Sequence, residues 1–216
     1  MINFSWSRRD DDRFLVFVKT PLVRAGTFNR LTTAIYALNL SIVSGNLNTL
    51  REGEELYSVD EFLLENADMG APPPDAATTS ARLGMLMESL LREEADPIGF
   101  LRDQGAEPPP PLSFFEAAPE IVFQDLPGEN VTQFYIETLD RSGLLYQISS
   151  ALYRHDVNII RGTIHTAETG MAEDTFFLQY QDGCLGPELS NRVQDSIENA
   201  GDVSASSGGQ GNDSRA

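Results

Sequence analysis

The sequence is poor in the residue types that usually signal redox, metal or nucleic-acid chemistry. Cys184 is the only cysteine, which excludes an intrachain disulfide and fits a reducing cytosol. His155 and His165 are the only histidines, and with Cys184 they show no metal-ligand spacing. No histidine lies near Cys184 in sequence, so it lacks a partner for nucleophilic work. Lys19 is the only lysine among 15 basic residues, and the formal net charge is −18. An acidic chain repels phosphates, so nucleic acid and anionic membrane surfaces are excluded as expected partners. No apolar run approaches membrane-spanning length. The first residues carry Arg8, Arg9 and Asp10 to Asp12, which is not a signal-peptide pattern. A glycine-rich phosphate loop and a G-x-S-x-G elbow are both missing, and the only adjacent His–Asp pair is His155-Asp156. A cytoplasmic, non-catalytic protein without cofactor or metal is expected.

What the chain does hold is an internal repeat. With a shift of about 117 positions, Arg24 falls on Arg141, Gly26 on Gly143, Ala34 on Ala151 and Tyr36 on Tyr153. Ile42 then falls on Ile159, Gly45 on Gly162 and Thr49 on Thr166. After a short length difference, Asp60, Phe62 and Leu64 answer Asp174, Phe176 and Leu178. The helical stripe Phe28, Leu31, Ile35 answers Leu145, Ile148, Leu152. Self-similarity of this length points to a duplicated fold unit. Two small units have little core of their own, so they are expected to pair with each other or with a second chain.

The elements follow from the pattern. Residues 1–12 read as a polar lead-in. Phe14 to Val18 reads as a buried strand, Pro21 to Gly26 as a loop and Thr27 to Leu38 as a helix. Strands are expected over 41–50 and 56–64, with a turn at Gly53. Pro72 to Pro74 form a stiff connector. Ser80 is placed to cap a helix carrying the stripe Leu83, Leu86, Met87, Leu90, Leu91, ended by Asp96-Pro97 beyond the acidic Glu93-Glu94. After Pro108 to Pro111, Leu112–Phe115 and Ile121–Phe123 read as extended, one of them completing the first unit. The second unit runs through a strand at 134–138, a helix with Leu145, Ile148 and Leu152, and strands after Asn158 and up to Leu178. A helix with Leu189, Val193 and Ile197 follows, and Val203 falls in a last brief strand. The divisions are a first unit at 13–123, with proline-rich insertions at 66–80 and 104–120, a second at 130–205, and a disordered tail at 206–216. Each unit reads strand–helix–strand–strand–helix–strand. That order gives an α+β, ferredoxin-like unit with a four-stranded antiparallel sheet and both helices on one face.

Leu139-Asp140-Arg141-Ser142-Gly143, the helix opening Leu144-Leu145, Asp156-Val157-Asn158-Ile159 and Asp174-Thr175-Phe176-Phe177-Leu178 together resemble the ACT domain, a regulatory ligand-binding module. The tandem arrangement is similar to the ACT pair at the C-terminus of PII uridylyltransferases. The resemblance implies two ACT domains side by side in one eight-stranded sheet. It implies a free amino acid bound between the strand-to-helix loop of one domain and the second strand of the other. The implied contacts are Asp140, Ser142, Gly143, Leu144, Asn158 and Ile159. Their first-unit counterparts are Val23, Ala25, Gly26, Thr27, Ser41 and Ile42. Val23 replaces the loop acid and Ser41 the asparagine, which sets the first-unit positions apart.

The chemistry fits an α-amino acid. Backbone N–H groups at the helix start after Gly143 suit a carboxylate, and Asp140 and Asn158 offer acceptors for an ammonium. Read without the resemblance, Asp140 and Ser142 cap a helix, Gly143 turns the chain, and Asn158 tolerates a tight turn. His155 reads as a solvated helix-end residue, His165 as a surface residue, and Asp60 and Asp174 as solvated positions near a hairpin. The expected function is a stand-alone amino-acid sensor, glutamine being one ligand to try, acting on a protein partner or through its own homo-oligomer. The alternatives are a purely structural dimerisation module and a separate regulatory subunit of a PII uridylyltransferase system.

Overall fold

The computed structural model describes residues 2–9, 13–68, 75–92, 96–114 and 118–199. Two parallel sets of elements emerge. The first is β1 (Asn3–Arg8), β2 (Phe14–Thr20), α1 (Thr27–Ala37), β3 (Leu40–Glu52), β4 (Glu55–Asn66), α2 (Ala76–Arg92) and α3 (Pro97–Asp103). The second is β5 (Glu120–Leu126), β6 (Val131–Leu139), α4 (Leu144–Arg154), β7 (Asn158–His165), β8 (Met171–Gln179) and α5 (Gly186–Glu198). The strands form one eight-stranded antiparallel sheet in the order β1-β2-β4-β3-β7-β8-β6-β5. Alternate residues of the strands are buried, as in Phe14, Val16, Val18 of β2 and Ala172, Asp174, Phe176, Leu178 of β8. Period-two burial of this kind marks a sheet covered on one face only.

A local twofold axis relates the halves. At the central β3–β7 pair, Gly45 lies opposite Ile164 and Leu47 opposite Gly162. Repeat-equivalent residues thus exchange partners, as an isologous contact requires. The backbone details repeat as well. α1 and α4 both start at a left-handed glycine, Gly26 with φ 86° and Gly143 with φ 82°. Both helices are followed by a left-handed polar residue, Asn39 and Asp156, each with φ 56°. The irregularity between Ile42 and Ser44 recurs between Ile159 and Arg161.

On the covered face α1 packs on α4, α2 on α1, and α5 on α4. Small polar side chains bring α1 and α4 together. Thr32 Oγ1 and its counterpart Ser149 Oγ are 2.8 Å apart, and Asn29 Nδ2 donates to Ser150 Oγ at 2.8 Å. Phe28 of α1 stacks on Phe62 of its own half and lies 5.9 Å from Phe176 of the other. One apolar core therefore runs through both halves.

The element order within each half differs from the expected one. The edge strand comes first, so each half runs strand–strand–helix–strand–strand–helix. Residues 3–8 of the supposed lead-in form β1, paired in register with β2 from Asn3–Lys19 to Arg8–Phe14. Ile121–Phe123 is extended as expected, but β5 pairs with β6 of the second half and does not complete the first. Leu112–Phe114 is a 3-10 turn, not a strand. The helix cap is Asp75, whose Oδ2 accepts the Thr78 N–H at 2.9 Å; Ser80 is buried inside α2. Asp96 likewise accepts the Gly99 N–H at 2.9 Å and so starts α3. Pro72 to Pro74, Glu93-Glu94, Val203 and the tail lie outside the described residues.

Candidate functional site

Two crevices lie where the halves meet, and each draws on both halves. The first is lined by Val23, Gly26 and Thr27 at the start of α1, and by Val157, Asn158 and Ile159 at the start of β7. The second is lined by Asp140, Gly143 and Leu144 at the start of α4, and by Leu40, Ser41 and Ile42 of β3. The sequence-derived contacts are therefore brought together crosswise. Gly26 and Thr27 join Asn158 and Ile159, while Asp140, Gly143 and Leu144 join Ser41 and Ile42. Ser142 and Ala25 line neither crevice, and the Ser142 hydroxyl is buried without a partner among the described residues.

Each crevice has a helix N-terminus with no side-chain cap. The glycine that begins each helix is packed under a tyrosine of the other half. A Cβ on Gly26 would lie 2.5 Å from the Tyr153 ring, and one on Gly143 would lie 2.9 Å from both Tyr36 and Pro109. Tyr36 and Tyr153 are repeat-equivalent, so two crossed tyrosines close the two helix starts. Arg30, itself buried, donates from Nη1 to Gly26 O at 3.1 Å and stands 5.3 Å from the centre of the Tyr153 ring. The free space left in each crevice is about 20 Å³, room for one water molecule. A roomier groove of about 590 Å³ lies elsewhere, between β1 and α2, lined by Phe4, Trp6 and Met85.

The acids are the residues that sequence reasoning misplaced. Asp60 and Asp174 are not solvated: they are 3% and 1% exposed, facing the helices. Asp60 Oδ2 accepts from Ser58 Oγ at 2.8 Å, and its carboxylate also takes the Asn48 N–H. Asp174 Oδ1 accepts the N–H of His165, the counterpart of Asn48, at 3.2 Å, and its Oδ2 has no partner among the described residues. Burial pushes both carboxyls up to about 7; the nearby Asp140 adds to the effect at Asp174. The sequence held the signal. In both copies the aspartate, phenylalanine and leucine alternate on a strand, so the acid shares the buried face with its apolar neighbours.

Asp140 sits in the second crevice with Oδ2 accepting from Thr166 Oγ1 at 2.8 Å, and burial raises its carboxyl above the usual range. Arg141 on the same wall donates to Gln147 Oε1. His155 is half-buried, bonded through Nε2 to Ser196 Oγ at 2.8 Å, and burial lowers its pKa; it is not the solvated residue expected. His165 is exposed at the end of β7, opposite Ser44 of β3. Cys184 donates to Val131 O at 3.3 Å. Among the described residues no three His, Cys, Asp or Glu side chains gather as a metal site, and no helix is long and apolar enough to cross a membrane.

No family model matches the chain. The bifunctional uridylyltransferase/uridylyl-removing enzyme of Zymomonas mobilis subsp. mobilis is 32% identical over 78 residues, 35% of this chain and 8% of that protein. That of Gluconobacter oxydans is 35% identical over 77 residues, with the same shares covered. That of Azospirillum brasilense is 26% identical over 141 residues, 65% of this chain and 15% of that protein. Part of this chain is homologous to part of those enzymes. The chain spans 8% to 15% of the length of these uridylyltransferase relatives, so their activity as whole proteins does not transfer with the match.

Proposed function

We propose that the chain is a non-catalytic regulatory module of a PII uridylyltransferase-like system, a tandem ACT pair that senses a free amino acid at the seam between its halves. The observation that supports this reading is the crosswise construction of the crevices. Each has a helix N-terminus from one half and a strand start from the other, so a ligand there would touch both halves and bias their relative placement. The helix start suits a carboxylate and the acids suit an ammonium. Entry requires Tyr36 or Tyr153 to swing away, because the resting space is water-sized. Ligand binding and a change in the seam are then one event, which is what a sensor needs. Pairing within the chain provides the two-domain arrangement without a second copy, and the regulated partner is a protein.

Isothermal titration calorimetry with the 20 common L-amino acids, glutamine included, tests the reading. Saturable heat with at least one of them below about 1 mM is expected; no heat with any would remove the sensor claim. The tightness of the crevices favours one other reading, a seam that serves pairing alone. In that case Tyr153→Ala, which opens the first helix start, would lower stability without creating or improving affinity for any amino acid.

A further inference from the structure

The two crevices differ in their acids. In the second, the loop acid Asp140 fills the position over Thr166, and neither Thr166 nor the buried Asp174 reaches the crevice wall. In the first, Val23 stands where Asp140 stands, and a valine side chain accepts no hydrogen bond. There the strand acid, though buried, borders the crevice: Asp60, Asn48, Thr49 and Ser58 all line it. Thr49 is the counterpart of Thr166 and Asp60 that of Asp174, so the same spots border the crevice in one half and are set back from it in the other.

From this geometry we infer that Asp60 receives the ligand's ammonium in the first crevice, taking the place that Asp140 holds in the second. The inference rests on the sensor reading and names the ligand class of this site as zwitterionic, with a free primary ammonium. A carboxylate has about four acceptor positions, and Asp60 is given two donors, the Ser58 hydroxyl and the Asn48 N–H. Both donors are neutral. A buried carboxylate without a counter-charge is unfavourable unless it takes a proton or meets a cation, and its carboxyl pushed up to about 7 is the mark of that cost. The free space of about 20 Å³ matches a water molecule or an ammonium head. The opposite end of the crevice is the α1 N-terminus at Gly26 and Thr27, suited to the carboxylate. The charged residues of the wall are Asp60 and Arg24, and Asn158 reaches in from the other half.

The experiment is a two-by-two titration. Wild type and Asp60→Asn are each titrated with the amino acids that bind wild type and with their des-amino carboxylic acids, which lack the ammonium and add no bulk. Asp60→Asn is expected to lose one binding event or weaken it at least tenfold. Wild type is expected to prefer the amino acid over its des-amino form at that site, and the variant to lose that preference. Binding by Asp60→Asn with unchanged affinity, stoichiometry and preference overturns the role of Asp60, a structural water only, and leaves the sensor reading standing. No binding by wild type removes the sensor reading itself and this role with it. Should the variant not fold, the carboxyl carbon of Asp60 in isotope-labelled wild type decides. The amino acid must lower its titration midpoint while the des-amino acid does not, and a midpoint moved by neither overturns the role.

Discussion

Asp60 and Asp174 occupy strand positions whose neighbours on the same face, Phe62, Leu64, Phe176 and Leu178, are fully buried. A carboxyl raised from 3.8 to about 7 holds its proton in the folded chain over a range where the unfolded chain has released it. The folded state then binds more protons, so stability is full below about pH 4 and is lost as pH rises through 7. Each acid contributes on the order of a few kcal/mol at most to that slope. Urea unfolding of the ligand-free chain at pH 5 and pH 8 is expected to show lower stability at pH 8. Asp174→Asn, which cannot ionise, is expected to flatten the slope by about half; an unchanged slope would show that Asp174 does not carry it. The loop glycine, aspartate and asparagine were visible in the sequence, but each also suits a plain turn or cap, so residue type alone did not separate a site from a turn. Their crosswise grouping came only with the ACT resemblance, which sets the loop of one unit against the second strand of the other; what stayed hidden was the tyrosine of each half that packs over the other half's helix start.

At the level of elements, the repeat was legible because hydrophobic period and left-handed glycines survive divergence in both copies. What the pattern missed was β1. Asn3 to Arg8 reads as polar because this edge strand is exposed at every residue but Phe4, and only the alternation of Phe4 and Trp6 with Ser5 and Ser7 marks it. Once β1 supplies the edge, the segments after the prolines are released from completing the first half. The helix starts yield a sharper expectation. Gly26→Ala forces a side chain into left-handed backbone and against the Tyr153 ring, 2.5 Å from the new Cβ. A loss of about 2 kcal/mol or more is expected by chemical denaturation, the sum of backbone strain and overpacking. In Gly26→Ala/Tyr153→Ala the ring is gone, so the combined loss should be smaller than the sum of the two single losses. Additive losses would mean that the tyrosine does not pack on the glycine. In the sheet, Gly162→Ala meets Phe176 Cδ1 at 2.7 Å and Thr175 O at 3.1 Å, and is expected to cost roughly 1–3 kcal/mol in the same assay.

The whole molecule behaves as a dimer written into one chain. Its axis passes between Asn46 and Thr163, which lie opposite each other at the middle of the β3–β7 pair, and its seam combines strand pairing, the Thr32–Ser149 contact and Phe28 reaching Phe176. A half cut free would expose the β7 edge, whose N–H and C=O groups invite another strand, together with the apolar surface that Phe28 covers. The second half carries everything an isologous contact needs, since Gly162 and Ile164 answer Gly45 and Leu47. A chain of residues 118–199 alone is therefore expected to associate through β7 and α4 into a symmetric pair, Gly162 of one copy opposite Ile164 of the other. Its melting temperature should rise with protein concentration, as a fold coupled to assembly requires. Analytical ultracentrifugation reads the mass directly. A folded monomer with a concentration-independent melting temperature would show that the seam is an accessory to two self-sufficient halves, and the proposed coupling of a ligand to the seam would lose its mechanical basis.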